Sequence, residues 1–184
     1  MDEPIPFLKI QAATRIHRRE HGCGAYTFED GPGLIKLAQS YQPSRILELG
    51  TALGYTACCL AFGHVNAAVD TVEGDALHVE LAQQNFVKEG LSSRIQIHHG
   101  NFRDVLPTLT TGYDMVFFDG FAPPLDVLVS LKALLIAGGV LICSNLELIG
   151  GLDVAQLEAE FSNTAVWNRQ ESIEFGKTAV LIKK

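Results

Sequence analysis

Four side chains able to bind or move protons stand just where short apolar runs end. Glu48 lies in the run 45–49, Glu73 closes 67–73, Asn101 follows 94–98 and Asp119 follows 113–118. A carboxylate so placed can accept hydrogen bonds from sugar hydroxyls, hold a cation, or take a proton from a reacting hydroxyl. The first run passes into Gly50-Thr51-Ala52-Leu53-Gly54-Tyr55. There Gly50 permits a sharp turn and close backbone approach to a ligand, and the helix start presents free N–H groups. Glu48 is expected to point an acid into the same crevice. An ordinary strand-to-helix turn is the alternative reading. In Asp70-Thr71-Val72-Glu73-Gly74-Asp75, Glu73 follows Glu48 by 25 residues. That is close to the spacing at which an acid binds ribose hydroxyls, with Gly74 beside it. Asp75 suits a helix N-cap. In His99-Gly100-Asn101-Phe102-Arg103 a small nest and a flat side chain could hold an adenine edge, and a helix start capped by Asn101 accounts for it equally.

The dinucleotide fingerprint G-x-G-x-x-G is absent, because Thr-Ala-Leu separates Gly50 from Gly54. A pyrophosphate needs that close glycine approach. The pattern therefore disfavours a nicotinamide dehydrogenase and better fits a ligand with ribose but no phosphate. S-adenosylmethionine is such a ligand, its methionyl end along the first turn and its ribose on Glu73.

The elements that must position these residues follow from periodicity. Strands are expected at 45–49, 67–73, 94–98, 113–118 and 139–143. Helices are expected at 54–62, 75–89, 101–109 and 125–137, the last ended by Gly138-Gly139. Strands alternating with helices imply an α/β layer fold on a parallel sheet. A helix over 153–161 and strand-like runs at 164–170 and 178–183 close the chain, one of the two antiparallel. Residues 1–25 read as an N-terminal helix or lid carrying Ile5, Leu8, Ala12 and Ile16 on one face, with a break at Gly22-Cys23-Gly24. One domain over 1–184 suits the 184 residues, which are 47% hydrophobic and 19% charged. The net charge of −7 disfavours nucleic acid and anionic membrane as partners. No long apolar segment suggests a membrane span, and the first residues lack a signal-peptide pattern, so the expected location is the cytoplasm. Cys23, Cys58, Cys59 and Cys143 have no C-x-x-C spacing and read as reduced thiols.

The chain resembles class I S-adenosylmethionine-dependent methyltransferases, and within them the catechol O-methyltransferase-like enzymes. The likeness rests on Glu48-Leu49-Gly50-Thr51-Ala52-Leu53-Gly54-Tyr55-Thr56, Val72-Glu73, Leu106-Pro107 with Tyr113 to Asp119, and Gly138-Gly139-Val140-Leu141. It implies a Rossmann-like seven-stranded sheet in the order 3-2-1-4-5-7-6, strand 7 antiparallel, with helices on both faces. It also implies methyl transfer to a small-molecule hydroxyl. The donor site would comprise Glu48, Gly50, Thr51, Gly54, Tyr55, Glu73, Gly74, Asn101, Phe102 and Asp119, with Asp119 also catalytic. Tyr26 and Glu29 stand where related enzymes cover the donor, and the family pattern allows a homodimer. The family binds magnesium through an acid after strand four and an Asp-Asn pair after strand five, and uses a nearby lysine as base. Here Asp119 and Asn145 match, Ser144 replaces the aspartate, and Ala122 stands at the lysine position. The departures put the metal and catechol chemistry in doubt. They leave open a protein that binds the donor without turnover, in which Glu147 would be the nearest spare acid. The string Asp119-Gly120-Phe121-Ala122-Pro123, with Arg15, Arg18 and Arg19 on the first helix, leaves a tRNA-modifying methyltransferase as a further alternative. The same arginines would otherwise suit an anionic acceptor.

Overall fold

Side chains along the central strands alternate between two apolar surfaces, and the fold follows from covering both. In the computed structural model, residues 5–146 and 153–184 are described. Ile46 belongs to one core, with Leu60, Phe86, Met115 and Phe117. Leu47 and Leu49 belong to the other, with Val116, Phe118, Leu131 and Leu141. Strands buried on both faces read as continuous apolar runs, as these do.

The elements in chain order are α1 (Leu8–His21), α2 (Gly31–Tyr41), β1 (Arg45–Leu49), α3 (Tyr55–Gly63), β2 (Ala68–Glu73), α4 (Ala76–Lys88), β3 (Ile95–His99), α5 (Phe102–Val105), β4 (Tyr113–Phe118), α6 (Leu125–Leu134), β5 (Leu135–Cys143), α7 (Val154–Phe161), β6 (Trp167–Arg169) and β7 (Ala179–Lys183). They build a seven-stranded sheet in the order β3-β2-β1-β4-β5-β7-β6. The first five strands are parallel. Strand β7 runs antiparallel to both β5 and β6. Residues from α1 to α4 furnish the first core and residues from α5 to α7 the second. The expected order and the antiparallel seventh strand are both present.

One local expectation needs correction, and two features are added by the structure. The helix expected over 125–137 ends at Leu134, and β5 begins at Leu135. Leu135 pairs with Tyr113 before the ladder shifts register and resumes at Met115–Val140. Pairing to β4 thus takes residues that local periodicity assigned to a helix. The segment 31–41 also forms a helix, α2, capped by the Asp30 side chain on the Gly33 N–H. Asp30, the early Pro32 and the spacing of Leu34, Ile35 and Ala38 are the signals that mark it. The apolar face noted near the N-terminus is exposed, at Ile5 just before α1 and at Leu8 and Ile16 within it. The buried row is Ile10, Gln11, Thr14 and His17. Gln11 can be buried because its amide donates to the Phe28 carbonyl, and Thr14 because its hydroxyl donates to the Ile10 carbonyl.

Candidate active site

The parallel ladder aligns the site before any side chain is considered. Leu49 stands level with Val72 on one side and Phe118 on the other, and Phe118 stands level with Cys143. Beyond the paired residues, Gly50 N–H donates to the Val72 carbonyl, Asp119 N–H to Leu49 and Ser144 N–H to Phe118. Gly50, Glu73, Asp119 and Ser144 therefore lie along one carboxyl edge. The strand order reverses between β1 and β4, where open α/β sheets bind ligands. A crevice of about 300 Å³ opens there, with Gly50, Ala52, Glu73, Phe102 and Asp119 in its walls. Gly50 has φ 98°, and a Cβ on it would come within 2.7 Å of the Asp119 carbonyl oxygen, so only glycine fits this turn.

Glu73 locks the β1–α3 turn. Its Oε2 accepts from the Ala52 N–H at 2.8 Å and its Oε1 from the Asp75 N–H at 3.0 Å. Asp75 in turn caps α4 through the Leu77 and His78 N–H groups, which hold its carboxyl below the usual carboxylate range. Glu48 behaves differently. It is fully buried beneath the turn, where Thr71 Oγ1 donates to its Oε2 and itself lies 2.6 Å from Thr51 Oγ1. Among the described residues its Oε1 has no partner. Burial pushes its carboxyl up to about 7, against the hydroxyl contacts that favour the anion.

Asp119 meets the residues that follow β5. Its Oδ1 accepts from Ser144 Oγ at 2.6 Å and from Asn145 Nδ2 at 2.9 Å. Burial raises its carboxyl well above the usual range, with the nearby charges of Glu48 and Glu174 adding to the rise and the two donors opposing it. Asp119, Ser144 and Asn145 thus do come together, as the resemblance implies. The set does not fit magnesium. It offers one carboxylate, and the other two residues direct a hydroxyl and an amide N–H at that carboxylate. A hard dication needs charged oxygens. Ala122, where the resemblance implies a lysine, is buried.

The other expected donor residues divide by position. Gly50, Glu73, Phe102 and Asp119 share the crevice. Thr51 and Tyr55 line a narrow cleft beside it, together with Thr14 and Phe28. Glu48, Gly54, Gly74 and Asn101 line neither. Gly54 supports the turn from behind: its φ is 92°, and a Cβ there would strike the Phe86 ring at 2.5 Å. Asn101 caps α5 through the Arg103 N–H. Glu147 lies outside the described residues. Sequence reasoning missed Cys23 and His78, which also line the crevice. His78 stands in the first turn of α4, three residues after its cap, and so faces the carboxyl edge. Tyr26 and Phe121 meet edge-on over the mouth, centroids 6.4 Å apart. The walls carry Glu73, Asp75 and Asp119, with no lysine or arginine among the described lining residues. A pyrophosphate would be repelled there, whereas a cationic nucleoside suits the site.

A family model described as a methyltransferase domain matches residues 47–145. The chain is 39% identical over 99 residues to a catechol O-methyltransferase of Niastella koreensis, a match covering 51% of this chain and 45% of that protein. It is 31% identical over 160 residues to a protein of Mycobacterium sp. (strain JLS) named as an O-methyltransferase, covering 83% of this chain and 72% of that one. The matched stretch thus spans about half the length of the catechol O-methyltransferases it resembles, 45% and 44%. In fold, the chain is similar to an SAH-bound methyltransferase of Podospora anserina, with TM-score 0.78, 20% identity and coverage of 99% and 89% of the two chains.

Proposed function

The chain belongs to the methyltransferase-domain family, and on that premise we propose that it transfers the methyl group of S-adenosylmethionine to a hydroxyl of a small molecule. One observation carries the reading: a crevice at the switch point of the sheet, walled by Glu73, Asp75 and Asp119, with no lysine or arginine among its described lining residues. S-adenosylmethionine supplies an electrophilic methyl on a sulfonium. Glu73 accepts hydrogen bonds from the ribose hydroxyls, Gly50 lets the backbone approach the methionyl end, and Phe102 offers a flat face to the adenine. Asp119 is the catalytic residue. Its Oδ1 is held by Ser144 and Asn145, which leaves Oδ2 to accept the proton of the acceptor hydroxyl. A base near the working pH is the efficient one, and burial moves Asp119 in that direction. The rest of the rate comes from holding donor and acceptor in line.

An open groove of about 590 Å³ adjoins the crevice and shares Tyr26 with it, and Arg15, Arg18 and Arg19 line it. This supports an acceptor that is anionic as well as hydroxylated. The same arginines sit on a chain of net charge −7, which does not favour a tRNA partner. The four thiols are unpaired, as suits a cytoplasmic protein. Among the described residues no helix is long and apolar enough to cross a membrane. A homodimer would cover the outward row Ile5, Leu8 and Ile16, and sedimentation reads it.

Calorimetric titration with S-adenosylhomocysteine, with and without magnesium, tests the proposal. Binding that ignores magnesium is expected, followed by turnover on a library of anionic phenols. Failure to bind overturns the donor site. Binding without turnover on any acceptor would favour a donor-binding protein that has lost catalysis, which Ser144 and Ala122 motivate.

A further inference from the structure

We propose that His17, Cys23 and His78 form a site for a zinc-class dication that pins the N-terminal helix to α4 at the mouth of the crevice. The three side chains come from three different places: the buried row of α1, the hinge after it, and the first turn of α4. Their ligand atoms all lie within 4.8 Å of one another, and no other such trio of histidine, cysteine or acidic groups occurs among the described residues. A tetrahedral zinc with bonds of about 2.0–2.3 Å sets its ligand atoms about 3.3–3.6 Å apart. Binding would draw the ligand atoms in from the observed spacing, and Cys23 is the least buried of the three.

The second observation is an orphaned nitrogen. His78 is buried, 6% exposed, yet its Nε2 has no hydrogen-bond partner among the described residues. A buried polar atom without a partner costs stability on the order of 1–3 kcal/mol. Its other nitrogen, Nδ1, faces Glu73 Oε1 at 3.6 Å. A carboxylate behind one ring nitrogen and an open second nitrogen is how metal-binding histidines are commonly oriented. His17 lies edge-on to His78, centroids 5.1 Å apart. Two imidazoles and a thiolate suit zinc, cobalt or copper and not magnesium or calcium. The set is separate from Asp119, Ser144 and Asn145. It leaves a fourth coordination position on the crevice side, since Cys23 and His78 both line that space.

The experiment uses the full chain stripped of metal, with no methyl donor or acceptor, so its outcome is independent of the methyltransferase reading. Cobalt(II) is titrated in while the absorbance is followed. One equivalent is expected to give a tetrahedral cobalt spectrum with a thiolate charge-transfer band, bleached by added zinc. Cys23→Ser should abolish that band and weaken zinc at least about tenfold in competition with a chromophoric chelator. His17→Gln should weaken it similarly, while His64→Gln, at the C-terminal end of α3 with its ring against the Pro43 carbonyl, should not. Zinc should also raise the melting temperature of the wild-type chain and not that of Cys23→Ser. The proposal is overturned if the wild-type chain gives no stoichiometric cobalt spectrum, or gives one that Cys23→Ser and His17→Gln leave intact. Circular dichroism of the metal-free variants separates a lost ligand from a lost fold.

Discussion

The ends of β1 and β2 and the ends of β4 and β5 form the two halves of one crevice, and they hold their acids by different means. At β1–β2, Glu73 is fixed by backbone N–H groups of the adjoining turn and helix start, and Glu48 by a buried threonine hydroxyl. At β4–β5, Asp119 is fixed by side chains alone, Ser144 and Asn145. Backbone donors do not change when residues are substituted, so the hold on Glu73 is insensitive to side-chain identity. Side-chain donors do change, so the hold on Asp119 depends on which residues stand at 144 and 145.

The contrast can be broken most forcefully at Asp119. Asp119→Asn keeps an acceptor oxygen for Ser144 and Asn145 but cannot take a proton. Turnover should fall by about 10²- to 10⁴-fold while S-adenosylhomocysteine affinity changes little. In the wild-type protein, activity should rise with pH through a value above the ordinary carboxylate range, because the base must lose the proton that burial helps it keep. A comparable loss of donor affinity would move Asp119 from catalysis to binding.

At β1–β2, Glu73→Ala removes the proposed ribose acceptor and frees the Ala52 N–H. Two charge-assisted hydrogen bonds correspond to roughly 100-fold weaker S-adenosylhomocysteine by calorimetry. Unchanged affinity would remove Glu73 from the donor site.

Glu48→Gln probes the acid beneath the turn through stability. The carboxyl moves from 4.5 in the unfolded chain to about 7 in the folded one. Between those values the folded chain keeps a proton that the unfolded chain has lost. Stability therefore declines as pH rises from about 4.5 to about 7, by up to about 3 kcal/mol. Glutamine removes this contribution, so the variant should gain stability over wild type at pH 8 and match it near pH 4. Parallel denaturation curves for both proteins across that range would sink the assignment.

The smallest effect is expected at Ser144→Asp. A second carboxylate beside Asp119 should create magnesium dependence, read as a melting temperature raised about 2–4 °C by the ion. The wild-type chain should show none.

Much of the sheet was legible because parallel strands buried on both faces leave continuous apolar runs, and because Asp75 and Asp153 announce helix starts through the N–H groups they cap. The α6–β5 boundary was not, since residues 135–137 join β5 through the Leu135–Tyr113 pair and the register shift that follows it. Nor was the orientation of α1 legible. Its apolar residues mark a face, but Gln11, Thr14 and His17 are the ones buried, each satisfied or stacked by partners distant in sequence or along the helix. Among the site residues, Glu73 and Asp119 were marked by their places at strand ends. Glu48 shares that kind of place yet lies under the turn, because alternation along β1 turns it toward the α1–α4 side.

The sequence by itself determined the strand order's raw material, the glycine turn at Gly50, and the acids at the carboxyl edge, since these depend on local periodicity and backbone freedom. Only the tertiary structure decided which acids reach the crevice, how Asp119 is tied to Ser144 and Asn145, and that His17, Cys23 and His78 converge. Those outcomes depend on contacts between segments far apart in the chain, where burial and hydrogen bonding, not local preference, set both position and protonation.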